Sequence, residues 1–203
     1  MHPRTTALIA AALTTIVAVP ALSAPAHAAS AAEKARAQKT NVYVQGDSLT
    51  VGAGPYLRRN LGKDVRTVAV DAEVGRFTAT GMSRLASSGS AKRSKVWVVA
   101  LGTNDGPDPQ ALKRHVVRSL QLAGPHRQVI WLTVERPGGY SRVNAMLRQL
   151  DRAQEQLHVV DWARHVHEHR SLLAGDGVHA TATGYQVRAA LIARTARTLA
   201  MQP

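Results

Sequence analysis

Cysteine is missing from the 203 residues of this chain, and acidic residues are scarce. The first absence excludes disulfide bonds, cysteine-ligated metals and a thiol nucleophile. The second leaves 26 Lys and Arg against 13 Asp and Glu, a formal net charge of +13, which attracts polyanions. The basic residues are scattered, and no RNA-binding, zinc-finger or basic-zipper motif accompanies them. We therefore expect this positive charge to attract anionic cell-wall polymers or membrane surfaces, and not nucleic acid.

Long apolar runs are absent, except for one near the N-terminus. Arg4 precedes an alanine-rich run from Ala7 to Leu22, and Ala26-His27-Ala28 has the small-x-small form of a signal-peptidase site. Two threonines and a proline interrupt the run, which falls short of the roughly 20 apolar residues that an uncleaved membrane anchor needs. We predict that residues 1–28 are a signal peptide, with an uncleaved anchor as the alternative. Residues 29–40 are expected to form a poorly ordered lead-in.

Residues 41–203 have the length of one domain. Apolar, β-branched runs predict strands at Asn41–Gln45, Val65–Val70, Lys95–Leu101, Gln128–Val134 and His158–Val160. Between them, helical periodicity predicts helices at Pro55–Leu61, Thr78–Ser87, Pro109–Leu122, Ser141–Gln154 and Thr183–Ala200. This alternation predicts an α/β fold in which crossover helices join parallel strands.

The first predicted strand runs into Gly46-Asp47-Ser48-Leu49-Thr50, which places a serine where a strand ends and a helix begins. Reaction sites gather at that edge of parallel sheets. A helix N-terminus there offers backbone N–H groups and a positive dipole to a developing oxyanion. The nucleophile elbow of α/β-hydrolases is excluded, because it requires glycine where Thr50 stands.

A serine nucleophile needs a base, and Asp176-Gly177-Val178-His179 is the best candidate for an oriented histidine. The segment follows the last predicted strand and precedes the last predicted helix. A separation of three residues allows one turn to hold the carboxylate of Asp176 against the imidazole of His179. The alternative is an ordinary glycine-rich turn with both side chains in solvent.

Two further segments follow strands at the same edge. Asn104, in Gly102-Thr103-Asn104-Asp105, is suited to donate its amide to a reacting carbonyl, although an Asx turn is the alternative. Gly75, in Val74-Gly75-Arg76, has a backbone N–H that could serve the same pocket. Neither segment is specific alone.

The order of these four segments resembles the SGNH hydrolase family, also called GDSL esterases, over nearly all of residues 41–200. The resemblance implies a flavodoxin-like three-layer α/β/α sandwich with a five-stranded parallel sheet. It implies Ser48 as the nucleophile, His179 as the general base and Asp176 as the acid that orients it. It also implies an oxyanion hole formed by the backbone N–H groups of Ser48 and Gly75 and by the Asn104 side chain. It implies no metal and no other cofactor.

One stretch departs from the usual family pattern. Asp71-Ala72-Glu73-Val74-Gly75-Arg76 replaces the more usual asparagine-rich stretch with two glycines. Together with GTND, VERPGGYSRVN and DWARH, it is similar to the extracytoplasmic SGNH domains of bacterial peptidoglycan O-acetyltransferases. Those domains usually accompany a membrane acyltransferase domain that these 203 residues do not contain, so acetyl transfer from a membrane donor is not expected.

Other residues have alternative interpretations. His165 and His169 of the HVHEH segment could share a metal on a helix, but no third ligand has an obvious spacing, and surface histidines are the simpler interpretation. Trp131 and Trp162 are expected to pack in or beside the sheet, with stacking on a sugar ring as the alternative.

The expected function is that of an exported, metal-independent and monomeric serine esterase, which cleaves acyl or acetyl esters, for example on carbohydrate. One alternative is acyl transfer to a glycan hydroxyl by the same residues. Another is a non-catalytic module that binds anionic wall polymers, although such a module has no need of the complete set of Ser, Asp, His and Asn. The loops Gly106–Asp108 and Glu135–Tyr140 are expected to form walls of the substrate pocket.

Overall fold

The structure, a computed structural model, describes residues 28–203. Nearly all of the predicted signal peptide lies outside this range, so export remains a prediction. Within the described range, no helix combines the length and the apolar character that a membrane crossing requires.

Five parallel strands form one sheet, which confirms the predicted fold class. They are β1 (Asn41–Gly46), β2 (Thr67–Ala72), β3 (Val96–Ala100), β4 (Gln128–Leu132) and β5 (Leu157–Val160). Their spatial order is β2-β1-β3-β4-β5, and every neighbouring pair is parallel. In this doubly wound order, ligands bind beyond the carboxyl ends of the strands where the order reverses, here between β1 and β3.

Helices cover both faces of the sheet and complete a three-layer α/β/α sandwich. They are α1 (Ala31–Ala37), α2 (Ser48–Leu61), α3 (Thr78–Ser87), α4 (Gly89–Lys92), α5 (Pro109–Ala123), α6 (Ser141–Ala153), α7 (Trp162–Glu168) and α8 (Ala182–Ala200). Helices α1, α2 and α8 pack on one face, and α3, α5 and α6 pack on the other.

The side chains of β3 show how the sheet joins the two helical layers. Val96 and Val98 belong to the core under α2 and α8, whereas Trp97 and Val99 belong to the core under α3, α5 and α6. All four side chains are buried. A central parallel strand has no solvent face, which explains why this segment is apolar throughout.

Helix α2 begins seven residues before the predicted Pro55–Leu61, because its first turn has a cap. The carboxylate of Asp47 accepts the N–H of Leu49 at 3.0 Å. Pro55 lies inside the helix, where it removes one backbone hydrogen bond. Close packing of α2 on α8 offsets this loss: a Cβ added to Gly52 would lie 2.4 Å from the ring of Tyr185. The earlier start makes Ser48 the first helical residue.

The expectation of a poorly ordered lead-in at residues 29–40 is wrong for residues 31–37, which form α1. Ser30 and Glu33 form a reciprocal capping box at its start. Arg36 Nε donates to the carbonyl of Met201 at 2.8 Å, and Ala37 is buried against the core. The helix is therefore stabilised by contacts with the C-terminal end of the chain, which local composition does not reveal.

Candidate active site

The turn that carries Ser48 is built by close packing at the end of β1. A Cβ added to Gly46 would lie 1.9 Å from Thr50 Oγ1 and 2.9 Å from the carbonyl oxygen of Ala100, so only glycine fits there. Asp47 then caps α2, and Ser48 follows at the helix N-terminus. The sequence motif thus places the serine hydroxyl at the edge where parallel strands end.

The structure brings Ser48, His179 and Asp176 together in a hydrogen-bonded chain. Ser48 Oγ lies 3.0 Å from His179 Nε2, and His179 Nδ1 lies 2.7 Å from Asp176 Oδ2. If Nδ1 carries the proton that Asp176 accepts, Nε2 is free to accept the serine proton. This arrangement has the geometry of a nucleophile, a base and an orienting acid.

Local hydrogen bonds hold the loop that carries the acid and the base. Asp176 Oδ1 accepts the N–H groups of Val178 and His179, each at 2.9 Å. The hydrogen bond from the His179 side chain, together with these two amides, lowers the pKa of Asp176 to about 2. The carboxylate is therefore ionised at any pH at which the imidazole can act as a base. Gly177 permits the turn because its φ is +68°.

The predicted Gly75 lies in the loop after β2, beside the turn of Gly46, Asp47 and Ser48, which is called the nucleophile turn below after the predicted role of Ser48. The N–H of Glu73 donates to the carbonyl of Gly46 at 3.2 Å, which ties this loop to the end of β1. Gly75 has a φ of +75° and open space where a Cβ would stand. Its conformation, and not crowding, is what favours glycine here. Its role in an oxyanion hole remains a prediction.

The predicted Asn104 lies against the same loop. Its Nδ2 donates to the carbonyl of Arg76 at 3.2 Å, so one amide hydrogen is engaged and the second is available to a substrate. The carboxylate of the next residue, Asp105, accepts the N–H of Thr78 at 3.2 Å and the hydroxyl of Thr78 at 2.5 Å. The structure thus brings Asn104 and the Gly75 loop together, as predicted, while the donor role of Asn104 remains a prediction.

An ion-pair network that holds the Gly75 loop was missed at the sequence level. The buried side chain of Arg76 donates to Asp71 Oδ1 at 2.7 Å and to Glu73 Oε2 at 3.3 Å. Tyr43 donates to the other oxygen of Asp71 at 2.8 Å. Burial alone would raise the pKa of Asp71, but the hydrogen bonds from Arg76 and Tyr43 bring it below its usual range. An arginine directly after Gly75, with acids three and five residues before it, was the signal available in the sequence.

A cavity of about 330 Å³ opens next to the Asn104-Asp105 turn. Both loops predicted to form pocket walls contribute to it, Gly106 and Asp108 from one and Tyr140 from the other. Phe77, which follows the Gly75 loop, and His115 of α5 also line it. That this cavity accepts part of a substrate remains a prediction.

The remaining sequence candidates lie away from these contacts. The rings of His165 and His169 stack with centroids 4.7 Å apart. Within residues 28–203, no group of three or more His, Cys, Asp or Glu side chains is placed to hold a metal ion. Trp131 and Trp162 are fully buried, which confirms their packing role and excludes both as platforms for a sugar ring.

Comparison with known proteins agrees with this arrangement. Residues 44–187 match the GDSL-like Lipase/Acylhydrolase family. The chain belongs to this family. The matched segment contains all five predicted site residues, from Ser48 to His179.

Three similar proteins illustrate the breadth of the family. O-acetyltransferase OatA of Staphylococcus aureus is 25% identical over 164 residues, which cover 79% of this chain and 26% of that protein. The chain thus spans about a quarter of the curated relatives it matches. A lipase/acylhydrolase from Enterococcus faecalis superposes with a TM-score of 0.68 at 19% identity, covering 78% of this chain and 96% of the other. The C-terminal catalytic domain of Streptococcus pneumoniae peptidoglycan O-acetyltransferase A has a TM-score of 0.63 at 23% identity, with coverages of 79% and 92%. These structures share the fold.

Proposed function

We propose that this protein is an exported serine esterase that removes acyl groups, acetyl in the first place, from carbohydrate hydroxyls. The observation that carries the proposal is the chain of contacts from Ser48 Oγ to His179 Nε2 at 3.0 Å and from His179 Nδ1 to Asp176 at 2.7 Å. Three side chains from two distant segments meet with the spacing that acyl transfer requires.

The reaction proceeds through two acyl transfers. Ser48 Oγ attacks the ester carbonyl carbon while His179 Nε2 takes the serine proton, and the Ser48 and Gly75 amides with Asn104 stabilise the oxyanion. The C–O bond to the sugar then breaks, and the leaving oxygen takes the proton from Nε2. Water, deprotonated by His179, then attacks the carbonyl carbon of the acyl-serine. The bond from this carbon to Ser48 Oγ breaks, Oγ takes the proton from Nε2, and the carboxylic acid leaves. Asp176 stays ionised and stabilises the imidazolium in both steps.

The exposure of the site supports a polymeric or glycan substrate. The side chains of His179 and Asp176 are 46% and 50% exposed, so the base and its partner lie at the surface and not at the bottom of a tunnel. An ester on a large carbohydrate can reach such a site, whereas a long acyl chain gains little burial there. The relatives named as O-acetyltransferases also favour acetyl as the acyl group.

Export rests on the N-terminal segment of the sequence. The predicted signal peptide, residues 1–28, is followed by a domain with a high positive charge, which suits retention at an anionic cell wall. N-terminal sequencing of protein recovered outside the cell is expected to begin near Ala29. Recovery of the chain with Met1 intact would contradict cleavage.

Turnover of nitrophenyl esters of increasing chain length, and of acetylated oligosaccharides, tests the esterase proposal. Ser48→Ala is expected to lower kcat by about 10⁴-fold or more with folding intact, because the nucleophile is lost. Ser83→Ala is the matched control, since Ser83 lies on the exposed part of α3 and its hydroxyl bonds only to the carbonyl of Ala79. Turnover by Ser48→Ala within tenfold of the parent would refute the nucleophile assignment.

Acyl transfer to a glycan is the second candidate, and the names of the curated relatives favour it. It uses the same acyl-serine and differs in whether a sugar hydroxyl outcompetes water. Adding oligosaccharide acceptors to a nitrophenyl acetate assay separates the two. An esterase releases acetate in proportion to nitrophenol at every acceptor concentration, whereas a transferase releases less acetate and yields acetylated sugar.

A further inference from the structure

A buried arginine on α8, the helix that packs against α2 at Gly52, has no role in the chemistry described so far. Arg188, on α8, is 3% exposed, and its Nε and Nη1 atoms make no hydrogen bond. Its guanidinium carbon lies 5.0 Å from the centre of the buried ring of Trp162. Burial lowers the pKa of Arg188 to about 10, so it still carries its charge at neutral pH. A buried charge of this kind is costly unless an opposite charge compensates it.

Asp47 is that opposite charge, and it adjoins Ser48 at the start of α2. Five residues further along α2, Gly52 packs against Tyr185 of α8, which is three residues before Arg188. Asp47 is fully buried, and its Oδ2 makes no hydrogen bond, while Oδ1 accepts the N–H of Leu49 at 3.0 Å. Burial raises the pKa of Asp47, and the charge of Arg188 is the largest influence that opposes the rise. The interaction runs through the protein interior without a direct hydrogen bond, and the low dielectric there strengthens it.

We propose that Arg188 is a positioning residue, whose buried charge compensates Asp47 so that this carboxylate can hold the first turn of α2 and orient Ser48. The proposal rests on the proposed function, because it assigns Arg188 a part in preparing Ser48 for attack. It concerns residues 141 positions apart in the sequence (47 and 188), which only the fold brings together.

Because Asp47 adjoins Ser48, the balance between the charges of Asp47 and Arg188 affects the reaction. An uncompensated carboxylate next to Ser48 repels the negative charge that develops on the substrate oxygen, and a protonated one is a weaker acceptor for the Leu49 amide. Two other titratable groups face this region, Tyr185 of α8 and His179, which contacts Ser48. Neither carries a fixed positive charge, so Arg188 supplies the compensation.

Arg188 also joins the two parts of the site through Trp162. The Trp162 ring beneath its guanidinium packs with Leu172, Leu173 and Ala180, and Leu173 and Ala180 pair across the base of the loop that carries Asp176 and His179. A shift of Arg188 therefore disturbs the nucleophile turn and the floor of the acid–base loop together.

Four variants test the proposal: Arg188→Met, Arg188→Lys, Asp47→Asn, and the double variant with Asp47→Asn and Arg188→Met. Methionine removes the charge with similar length, lysine restores a charge, and asparagine keeps an acceptor for Leu49. The matched control is Arg197→Met, on the same helix, which breaks a half-exposed ion pair with Asp64 at 2.7 Å. Measurements are kcat and KM on nitrophenyl acetate, thermal midpoint, and the rate at which phenylmethylsulfonyl fluoride labels Ser48.

We expect Arg188→Met and Asp47→Asn each to lower kcat and the labelling rate by about tenfold or more with KM changed less than about twofold, because each leaves one buried charge uncompensated. Arg188→Lys is expected to recover a large part of the labelling rate. The double variant, which removes both charges, is expected to have a higher kcat and a higher labelling rate than either single variant. Arg197→Met is expected to keep kcat within about twofold, even where its thermal midpoint falls.

Several results would overturn the proposal: labelling of Arg188→Met within about threefold of the parent, no recovery by lysine, or a loss in Arg197→Met equal to that in Arg188→Met. Should Arg188→Met not fold, the same comparison of labelling rates between Arg188→Lys, Asp47→Asn and the double variant decides the matter. A parent protein that is never labelled at Ser48 refutes the proposed function instead, so the two failures are distinguishable.

Discussion

The two halves of the proposed catalytic site are built in different ways. The nucleophile turn is buried, and contacts from distant segments shape it: Thr50 and Ala100 crowd Gly46, and Tyr185 of α8 packs on Gly52 of the same helix as Ser48. The loop of Asp176 and His179 is half exposed, and its own amides hold it. Long-range packing thus fixes the proposed nucleophile, whereas local hydrogen bonds fix the proposed base. Changes in the exposed loop should therefore affect rate much more than stability, and changes on the buried side should affect rate and stability together.

The largest effect among these tests is expected for Asp176→Asn in the exposed loop. Asparagine still accepts the Val178 and His179 amides but cannot stabilise the imidazolium, so kcat is expected to fall by about 10²–10⁴-fold. Rate profiles from pH 4 to 9 and a thermal midpoint close to that of the parent check this. A large fall in stability would contradict the local construction of the loop.

The low pKa of Asp176, about 2, also determines how this residue changes the stability of the fold with pH. Because it lies below the value in the unfolded chain, ionised Asp176 favours the folded state above the unfolded pKa, near 4. That contribution is lost as the pH falls from about 4 through 2. In the parent, loss of activity above pH 4 is therefore not expected to come from Asp176.

Asn104→Ala, at the junction of the two halves, is expected to lower kcat by about 10²–10³-fold with little change in KM, because the amide matters most in the transition state. The shape of the pH profile is expected to stay the same, since Asn104 moves no proton. A rise in KM alone would instead make Asn104 a group that binds substrate or forms the turn, with Thr103 as the nearest other donor.

Arg76→Met tests the buried side. The change leaves Asp71 beneath the Gly75 loop without its close partner, so we expect a loss of about 2–4 kcal/mol in the free energy of unfolding and a fall in kcat of about tenfold. Arg84→Met is the control, because Arg84 is exposed and lies 3.4 Å from the same carboxylate; it is expected to change stability by less than about 1 kcal/mol. Urea unfolding and ester kinetics measure both, and equal losses in the two variants would refute a special role for Arg76.

Gly75→Ala is expected to have the smallest effect. Space is open around Gly75, so the only penalty is a φ of +75°, worth about 1–2 kcal/mol for an L side chain. Gly106→Ala is the matched control, because Gly106 has equally open space without a positive φ. We expect a lower thermal midpoint for Gly75→Ala and no decrease for Gly106→Ala; equal midpoints would show that the loop adapts freely.

The sequence predicts the parts of the molecule that local patterns determine. The predicted ends of every strand lie within two residues of the observed ends, because β-branched apolar runs mark buried parallel strands. Ser48, Asp176 and His179 could be proposed because each stands in a short motif, Ser48 where a strand ends and the other two in the loop before the last helix. The start of α2 was missed, since Gly52, Gly54 and Pro55 hide a helix that packing stabilises.

The parts that escaped prediction depend on contacts between distant residues. Helix α1 is held by the far end of the chain through the hydrogen bond from Arg36 to Met201. Arg188 has the sequence context of an ordinary helix, and only the packing of α8 shows that its charge is buried. No spacing rule relates such residues, because their partners follow from the three-dimensional fold.

Trapping of the acyl-enzyme is the most direct test of the central claim. The protein is mixed with nitrophenyl acetate and quenched in acid within the first turnovers. After digestion, mass spectrometry measures the mass of the peptide that contains Ser48. We expect that peptide to gain one acetyl group at Ser48, with a larger trapped fraction when deacylation is slowed, and no gain in Ser48→Ala. Ester turnover by the parent without acetylation of Ser48, or acetylation that persists in Ser48→Ala, would contradict the account.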